Sequence, residues 1–282
     1  MTEWQVVNSI PPLSDHTCQV WLLKTTDMQP WHVRMLNDEE RKRAQSFRKD
    51  QDRARFIVGC ALSRLVLATQ LNIAPHQVPI DRTCPICHEA HGRPRLPYGF
   101  LQWSVSHSGN IILVAFTTDA PVGVDVEWMN TAWDFDVVKM ADGILTEKEI
   151  AHILQMPAND RMRGFFIYWT RKEAVLKATG EGLNIPPLNV VVSGPQQAPR
   201  LLAFTGRPDG TDDVALHDLD LGFNYVAALS IFSKTQKRIE QYDASVLMQQ
   251  GFGWKDYYIS QKFKHLLMKI LSSISRTRGT EA

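Results

Sequence analysis

Pro121-Val122-Gly123-Val124-Asp125-Val126-Glu127 decides how the rest of this chain is read. Its valines recur at every second position, and that alternation predicts a β-strand. With a side-chain period of two, Val122, Val124 and Val126 line one face, and Gly123, Asp125 and Glu127 line the other. The valine face asks for a core. The opposite face sets two carboxylates side by side, which repel each other and need a cation between them or open water. Gly123 on that face removes a side chain, and the expectation is that a ligand approaches the backbone there.

A second stretch completes the pattern: Trp169-Thr170-Arg171-Lys172-Glu173-Ala174-Val175-Leu176-Lys177. A helical period puts Trp169, Glu173 and Lys177 on one stripe. A Glu four residues before a Lys is often a surface pair worth a few tenths of a kcal/mol. Here Phe165, Phe166, Ile167 and Tyr168 precede it, which predicts a half-buried helix in which Glu173 needs a partner. Alone, the D-x-E strand would pass for a solvated edge. Two carboxylates from a strand and one from a helix instead make a hard oxygen site suited to Mg²⁺ and a phosphate substrate.

Outward from these stretches the chain mixes helices and short strands without regular βαβ alternation, an α+β pattern. Val20 to Leu23 reads as a strand. Asn37 offers an N-cap with Glu40 three residues on, the spacing of a capping box, ahead of a charged helix from Arg41 to Lys49. Phe56, Ala61, Leu62, Leu65, Val66 and Leu71 recur near 3.6 residues. Pro79 to Pro97 reads as a loop, Ser106-His107-Ser108-Gly109 as a polar turn, and Ile111 to Phe116 as a buried strand. Helices are expected over roughly Asp134 to Gln155 and Arg161 to Ala178, the latter closed by Gly180 and Gly182. Strands follow at Val190 to Val192, Leu201 to Phe204 and Tyr225 to Phe232. The expected organisation is two α+β lobes of similar size, residues 1–118 and 119–232, followed by a helical basic tail, 233–282.

Composition narrows the function classes. Of 282 residues, 44% are apolar and 22% charged, the usual mix for a protein with a proper core. Lys plus Arg number 31 against 30 Asp plus Glu, so no global field draws nucleic acid. From Lys234 onward there are nine Lys/Arg against four Asp/Glu, leaving 22 against 26 elsewhere. The tail carries Ile259, Phe263, Leu266, Leu267, Ile270, Leu271 and Ile274 on one helical stripe among lysines, a pattern that packs on a core, or lies on a membrane surface or a partner. No apolar run approaches the roughly 20 residues of a spanning helix. The start of the chain shows no secretory pattern, and four cysteines are too few for a disulfide framework. A cytoplasmic protein without a transmembrane segment is expected.

The two chemical stretches together resemble the Sfp-type 4′-phosphopantetheinyl transferases. The resemblance rests on Gly123 to Glu127 and on Trp169 to Lys177 followed by Gly180-x-Gly182-Leu183. It extends to Val105-Ser106-His107-Ser108-Gly109, to Gly92-Arg93-Pro94-x-Leu96 and to Asp52-x-x-Arg55-x-x-x-Gly59. It spans roughly residues 20–232, in matching order. The resemblance implies a pseudo-duplicated two-lobe fold and, as a monomer, transfer of phosphopantetheine from coenzyme A to a serine of an apo acyl or peptidyl carrier protein, with release of 3′,5′-ADP. It implies Asp125, Glu127 and Glu173 as Mg²⁺ ligands, with Glu173, directly or through a metal-bound water, as the base. Lys177 would balance charge on the transferring phosphate. Arg43 (with Arg41 as an alternative), Arg55, Arg93 and His107 would grip the nucleotide and its phosphates, and Glu149 resembles an acidic position near the metal.

Cys84-Pro85-Ile86-Cys87-His88-x-x-His91 has zinc-like spacing; the other reading is a reduced-thiol loop over the coenzyme A pocket. A Mg²⁺-dependent nuclease shares the acidic strand and an E-x-K-like element, but the spacing from Glu173 to Lys177 is helical and no broad basic face accompanies it. A non-catalytic coenzyme-A-binding protein would be marked by a missing carboxylate or lysine, and none is missing. Ser106-His107-Ser108 lacks the G-x-S-x-G elbow of a hydrolase.

Overall fold

Gly123 and its valine neighbours sit where two sheets meet. The computed structural model describes residues 3–83, 88–89, 92–97, 99–130, 136–207 and 211–250. Ten strands and six helices are placed. The strands are β1 (Gln5–Val6), β2 (Thr17–Lys24), β3 (Gln102–Ser108), β4 (Ile111–Thr117), β5 (Val122–Trp128), β6 (Val190–Val192), β7 (Leu201–Phe204), β8 (Val214–Leu219), β9 (Tyr225–Phe232) and β10 (Arg238–Asp243). The helices are α1 (Asp38–Ser46), α2 (Asp50–Leu71), α3 (Val137–Ala141), α4 (Glu147–Gln155), α5 (Ala158–Thr179) and α6 (Ser245–Gln249).

One sheet runs β1-β10-β2-β4-β3, a second β5-β9-β8, and β6 pairs with β7. This is the α+β class that the sequence implies. The alternation in β5 is realised: Val122, Val124 and Val126 enter a core shared with Val20 and Leu22 of β2, Leu113 of β4 and Leu229 of β9. Two sheets burying one apolar face each is the usual solution for half-hydrophobic strands. α2 covers the other side of the first sheet and α5 lies along β5 and β9.

Several elements depart from the sequence reading. The supposed polar turn at Ser106 to Ser108 is part of β3, and the turn itself is Gly109 and Asn110, with Gly109 at φ +55°. The helical region expected over roughly Asp134 to Gln155 holds two helices, α3 and α4, with Gly143 at φ +70° between them. β10, inside the segment set apart as a tail, pairs in parallel with both β2 and β1. The apolar stripe from Ile259 to Ile274 lies outside the described residues.

α2 also qualifies the expectation about membranes: it is the one described helix long and apolar enough to span a bilayer, with 67% of its apolar window buried within the fold. Two arginines interrupt the bare apolar run, which is why counting uncharged residues overlooked it. One of them, Arg64, is fully buried and held by Glu40 Oε2 at 2.5 Å and by the carbonyls of Pro75 and Val78.

α4 begins with a capping box in which Thr146 accepts from the Glu149 amide and the Glu149 carboxylate accepts from the Thr146 amide. Thr146→Ala should therefore lower stability by about 1 kcal/mol, read as a shift in the urea midpoint at unchanged slope.

Candidate active site

The close approach allowed by Gly123 comes from the protein itself. A Cβ at this position would stand 2.0 Å from the carbonyl oxygen of Ala174 and 2.5 Å from the amide nitrogen of Ala178. The backbone of α5 thus fills the space expected for a ligand, which corrects the sequence reading of Gly123. The consequence serves the site, because Glu173 and Lys177 flank those two alanines and arrive beside the acidic face of β5.

Lys177 Nζ reaches Asp125 Oδ1 at 2.6 Å and Ser106 Oγ at 2.9 Å. Ser106 Oγ donates to the same Asp125 oxygen at 2.8 Å. Glu127 accepts from Ser108 Oγ at 2.9 Å and from the Trp169 indole at 3.1 Å, through different oxygens. Trp169, Glu173 and Lys177 therefore share one stripe, as the helical period requires.

Burial, reinforced by the Asp125 charge, raises the Glu127 carboxyl above its ordinary range. Burial likewise pushes Glu173 up to about 7; Asp125 and Glu127 add to the shift and Lys177 opposes it. Desolvation and like charge both disfavour a carboxylate.

Asp125 Oδ2 and Glu173 Oε1 are buried and receive no hydrogen bond. Among the described residues, no three His, Cys, Asp or Glu side chains stand ready-made around a metal position. The donor set nevertheless fits Mg²⁺: hard carboxylate oxygens, two of them orphaned, converge from a strand and a helix.

A stability consequence follows from Glu173. A carboxyl raised from 4.5 to about 7 binds a proton in the folded state that the unfolded chain has released between those values. Without divalent metal, stability should therefore fall as pH rises from about 4.5 to 7, by on the order of 2–3 kcal/mol. Urea unfolding in EDTA across that range checks this, and Glu173→Gln should flatten the slope.

Beside this cluster opens a cavity of about 920 Å³, lined by Arg43, Arg55, Arg82, Arg93, His107 and Lys177 among others. Arg43 stacks over Phe56 at 5.3 Å. Arg41, the alternative on the same helix, is engaged by Asp38 and by the Val33 carbonyl. Arg55 donates to the Gly109 carbonyl at 2.7 Å and to Asp52. Arg93 donates to the carbonyls of Ala178 and Val122, tying the end of α5 to β5. The cavity wall, with Arg55 and Lys177, holds the His107 imidazole below the usual histidine range.

Two family models match, one described as the 4′-phosphopantetheinyl transferase superfamily over residues 121–230 and one as 4′-phosphopantetheinyl transferase, N-terminal, over residues 23–119. The chain belongs to the 4′-phosphopantetheinyl transferase superfamily. It is similar to 4′-phosphopantetheinyl transferase HetI of Nostoc, 32% identical over 152 residues, or 52% of this chain and 61% of that one. It is also similar to L-aminoadipate-semialdehyde dehydrogenase-phosphopantetheinyl transferase of Schizosaccharomyces pombe, 29% identical over 190 residues, covering 63% and 70%. With 4′-phosphopantetheinyl transferase Sfp of Bacillus subtilis it shares 23% over 152 residues, covering 54% and 63%. The chain thus spans less than two thirds of the length of the HetI and Sfp relatives.

In this superfamily member Glu149 has a different task from the one the resemblance suggested. It closes the capping box of α4 and pairs with the buried Lys172 at 2.9 Å. Arg171, also buried, forks onto Asp218 and donates to the carbonyls of Ser193 and Gly194. Cys84, Cys87 and His91 of the zinc-like stretch lie outside the described residues. Arg82 in the cavity wall and Ser104 have no role in the sequence reading, and Ser106 and Ser108 enter it as a turn and a family motif rather than as partners of the carboxylates. The alternating serines Ser104, Ser106 and Ser108 were the available signal.

Proposed function

We propose that this chain is an Sfp-type enzyme that moves the 4′-phosphopantetheine arm of coenzyme A onto a serine of an apo acyl or peptidyl carrier protein, releasing 3′,5′-ADP. The observation that carries this reading is the junction of the acidic face with a cavity bearing four arginines, His107 and Lys177. A coenzyme A nucleotide brings a 3′-phosphate and a diphosphate, and the arginines and Lys177 match that charge. Action as a monomer in the cytoplasm is part of the same proposal.

Asp125, Glu127 and Glu173 would hold Mg²⁺, which supplies positive charge against the diphosphate when bound. Glu173 takes the proton from the carrier serine hydroxyl as its oxygen attacks the pantetheine-side phosphorus. The bond from that phosphorus to the bridging oxygen breaks, and the electron pair leaves with 3′,5′-ADP. Lys177, one turn from Glu173, meets the charge that develops on the phosphoryl oxygens. Arg55 from α2 and His107 from β3 orient the nucleotide.

The test is intact-protein mass spectrometry over a panel of apo carrier proteins with coenzyme A and Mg²⁺. A carrier heavier by one phosphopantetheine arm supports the proposal. No gain with any carrier, from folded enzyme that binds coenzyme A, would reduce it to a binding protein.

A further inference from the structure

The three serines of β3 meet β5 in a repeating pattern. Ser104 Oγ accepts from the Val124 amide at 3.2 Å, Ser106 Oγ from the Val126 amide at 3.3 Å, and Ser108 Oγ from the Trp128 amide at 3.0 Å. Side-chain hydroxyls thus satisfy every second amide along one edge of β5, the edge turned away from β9.

A hydroxyl that accepts from an amide still has one proton to give. At Ser106 that proton goes to Asp125 Oδ1, since the other neighbour of the oxygen is the donor Lys177. At Ser108 it goes to Glu127 Oε2. At Ser104 the residue preceding the bonded amide is Gly123, which has no side chain to receive it. The same rung is therefore built three times, twice with a carboxylate attached and once without.

We infer that Ser106 and Ser108 are positioning residues for the divalent cation: each fixes the rotamer of one carboxylate by a hydroxyl anchored on the backbone of the acidic strand. Asp125 shows the result. Both of its donors, Ser106 and Lys177, are gathered on Oδ1, and Oδ2 is left buried without a partner, turned to a ligand's use. Glu127 is pinned at both ends, by Ser108 and Trp169, so its oxygens keep a fixed direction while retaining lone pairs. Groups behind a ligand that hold its orientation typically govern metal affinity by 10–100-fold. The inference rests on the proposed reading of Asp125 and Glu127 as ligands.

Ser104 supplies the control that separates positioning from simple strand support. Mg²⁺ affinity would be measured by calorimetry, and Mn²⁺ affinity by electron paramagnetic resonance, with coenzyme A present and no carrier protein, so that nothing turns over. Ser106→Ala and Ser108→Ala should each weaken binding about tenfold or more. Ser104→Ala, which removes an equivalent amide rung, should stay within about twofold, as expected for a group with no ligand to orient. Should Ser106→Ala fail to fold by circular dichroism, Ser108→Ala carries the comparison. Equal loss in all three variants, or wild-type affinity in the Ser106 and Ser108 variants, would overturn the inference. A wild-type protein that binds neither ion would instead remove the proposed metal reading, and this inference with it.

Discussion

Glu173→Gln should lower turnover by about 10²–10⁴-fold while leaving the metal-free fold at least as stable as wild type. The side chain is proposed both to ligate the ion and to take the serine proton, so the loss belongs toward the upper end of that range. Stability should move the other way, because the wild-type carboxyl is buried with an unpartnered oxygen and lifted to about 7. A neutral amide of the same shape avoids the cost of ionising there. Single-turnover kinetics at saturating coenzyme A, set beside urea unfolding in EDTA at pH 8, reads both effects from one preparation. A variant with near wild-type turnover would remove Glu173 from the chemistry. Asp125→Asn makes an instructive contrast. It also withdraws charge from the trio but leaves Lys177 facing a neutral group, so its stability gain should be smaller.

Much of this site is legible in the sequence, and the reasons are specific. The period of two in Val122 to Glu127 and the helical spacing from Trp169 through Glu173 to Lys177 are local geometry. They survive in the fold because both elements bury the face their pattern demands. What faces Gly123 was not legible: a missing side chain accommodates a ligand or a helix equally, and the choice depends on a neighbour far away in sequence. Ser106 to Ser108 read as a turn because serine and the glycine that follows favour turns locally. In the fold, β5 satisfies those hydroxyls and makes them strand residues. β10 escaped because Arg-Ile-Glu-Gln-Tyr-Asp is mostly polar and its partner strand, β2, is near the other end of the chain. Nothing in the local sequence marks Arg171 and Lys172 as buried, yet both are fully buried in networks supplied by Asp218 and Glu149. Charge alone does not report exposure when the compensating group comes from another element.

The contact between β5 and α5 admits the sharper mechanical test. Gly123→Ala should destabilise the protein by more than about 3 kcal/mol, beyond the usual 1–3 kcal/mol of an overpacked core. The atoms it would strike are backbone, the Ala174 carbonyl at 2.0 Å and the Ala178 amide at 2.5 Å, so no rotamer change can relieve it. The relief available is to push α5 off β5. Glu173 and Lys177 travel with that helix, and a displacement near 1 Å at a reacting centre typically costs about 10²-fold in rate. Turnover per folded molecule should therefore collapse together with the melting temperature. Gly59→Ala in α2 calibrates the stability half: its Cβ would meet Ile112 and Val105 methyl groups at 3.5 Å, ordinary contact. There the helix preference for alanine should add about 0.5–1 kcal/mol. If Gly123→Ala were as benign as Gly59→Ala, α5 would not be seated on β5 as described, and Glu173 and Lys177 would lose the support that brings them to Asp125.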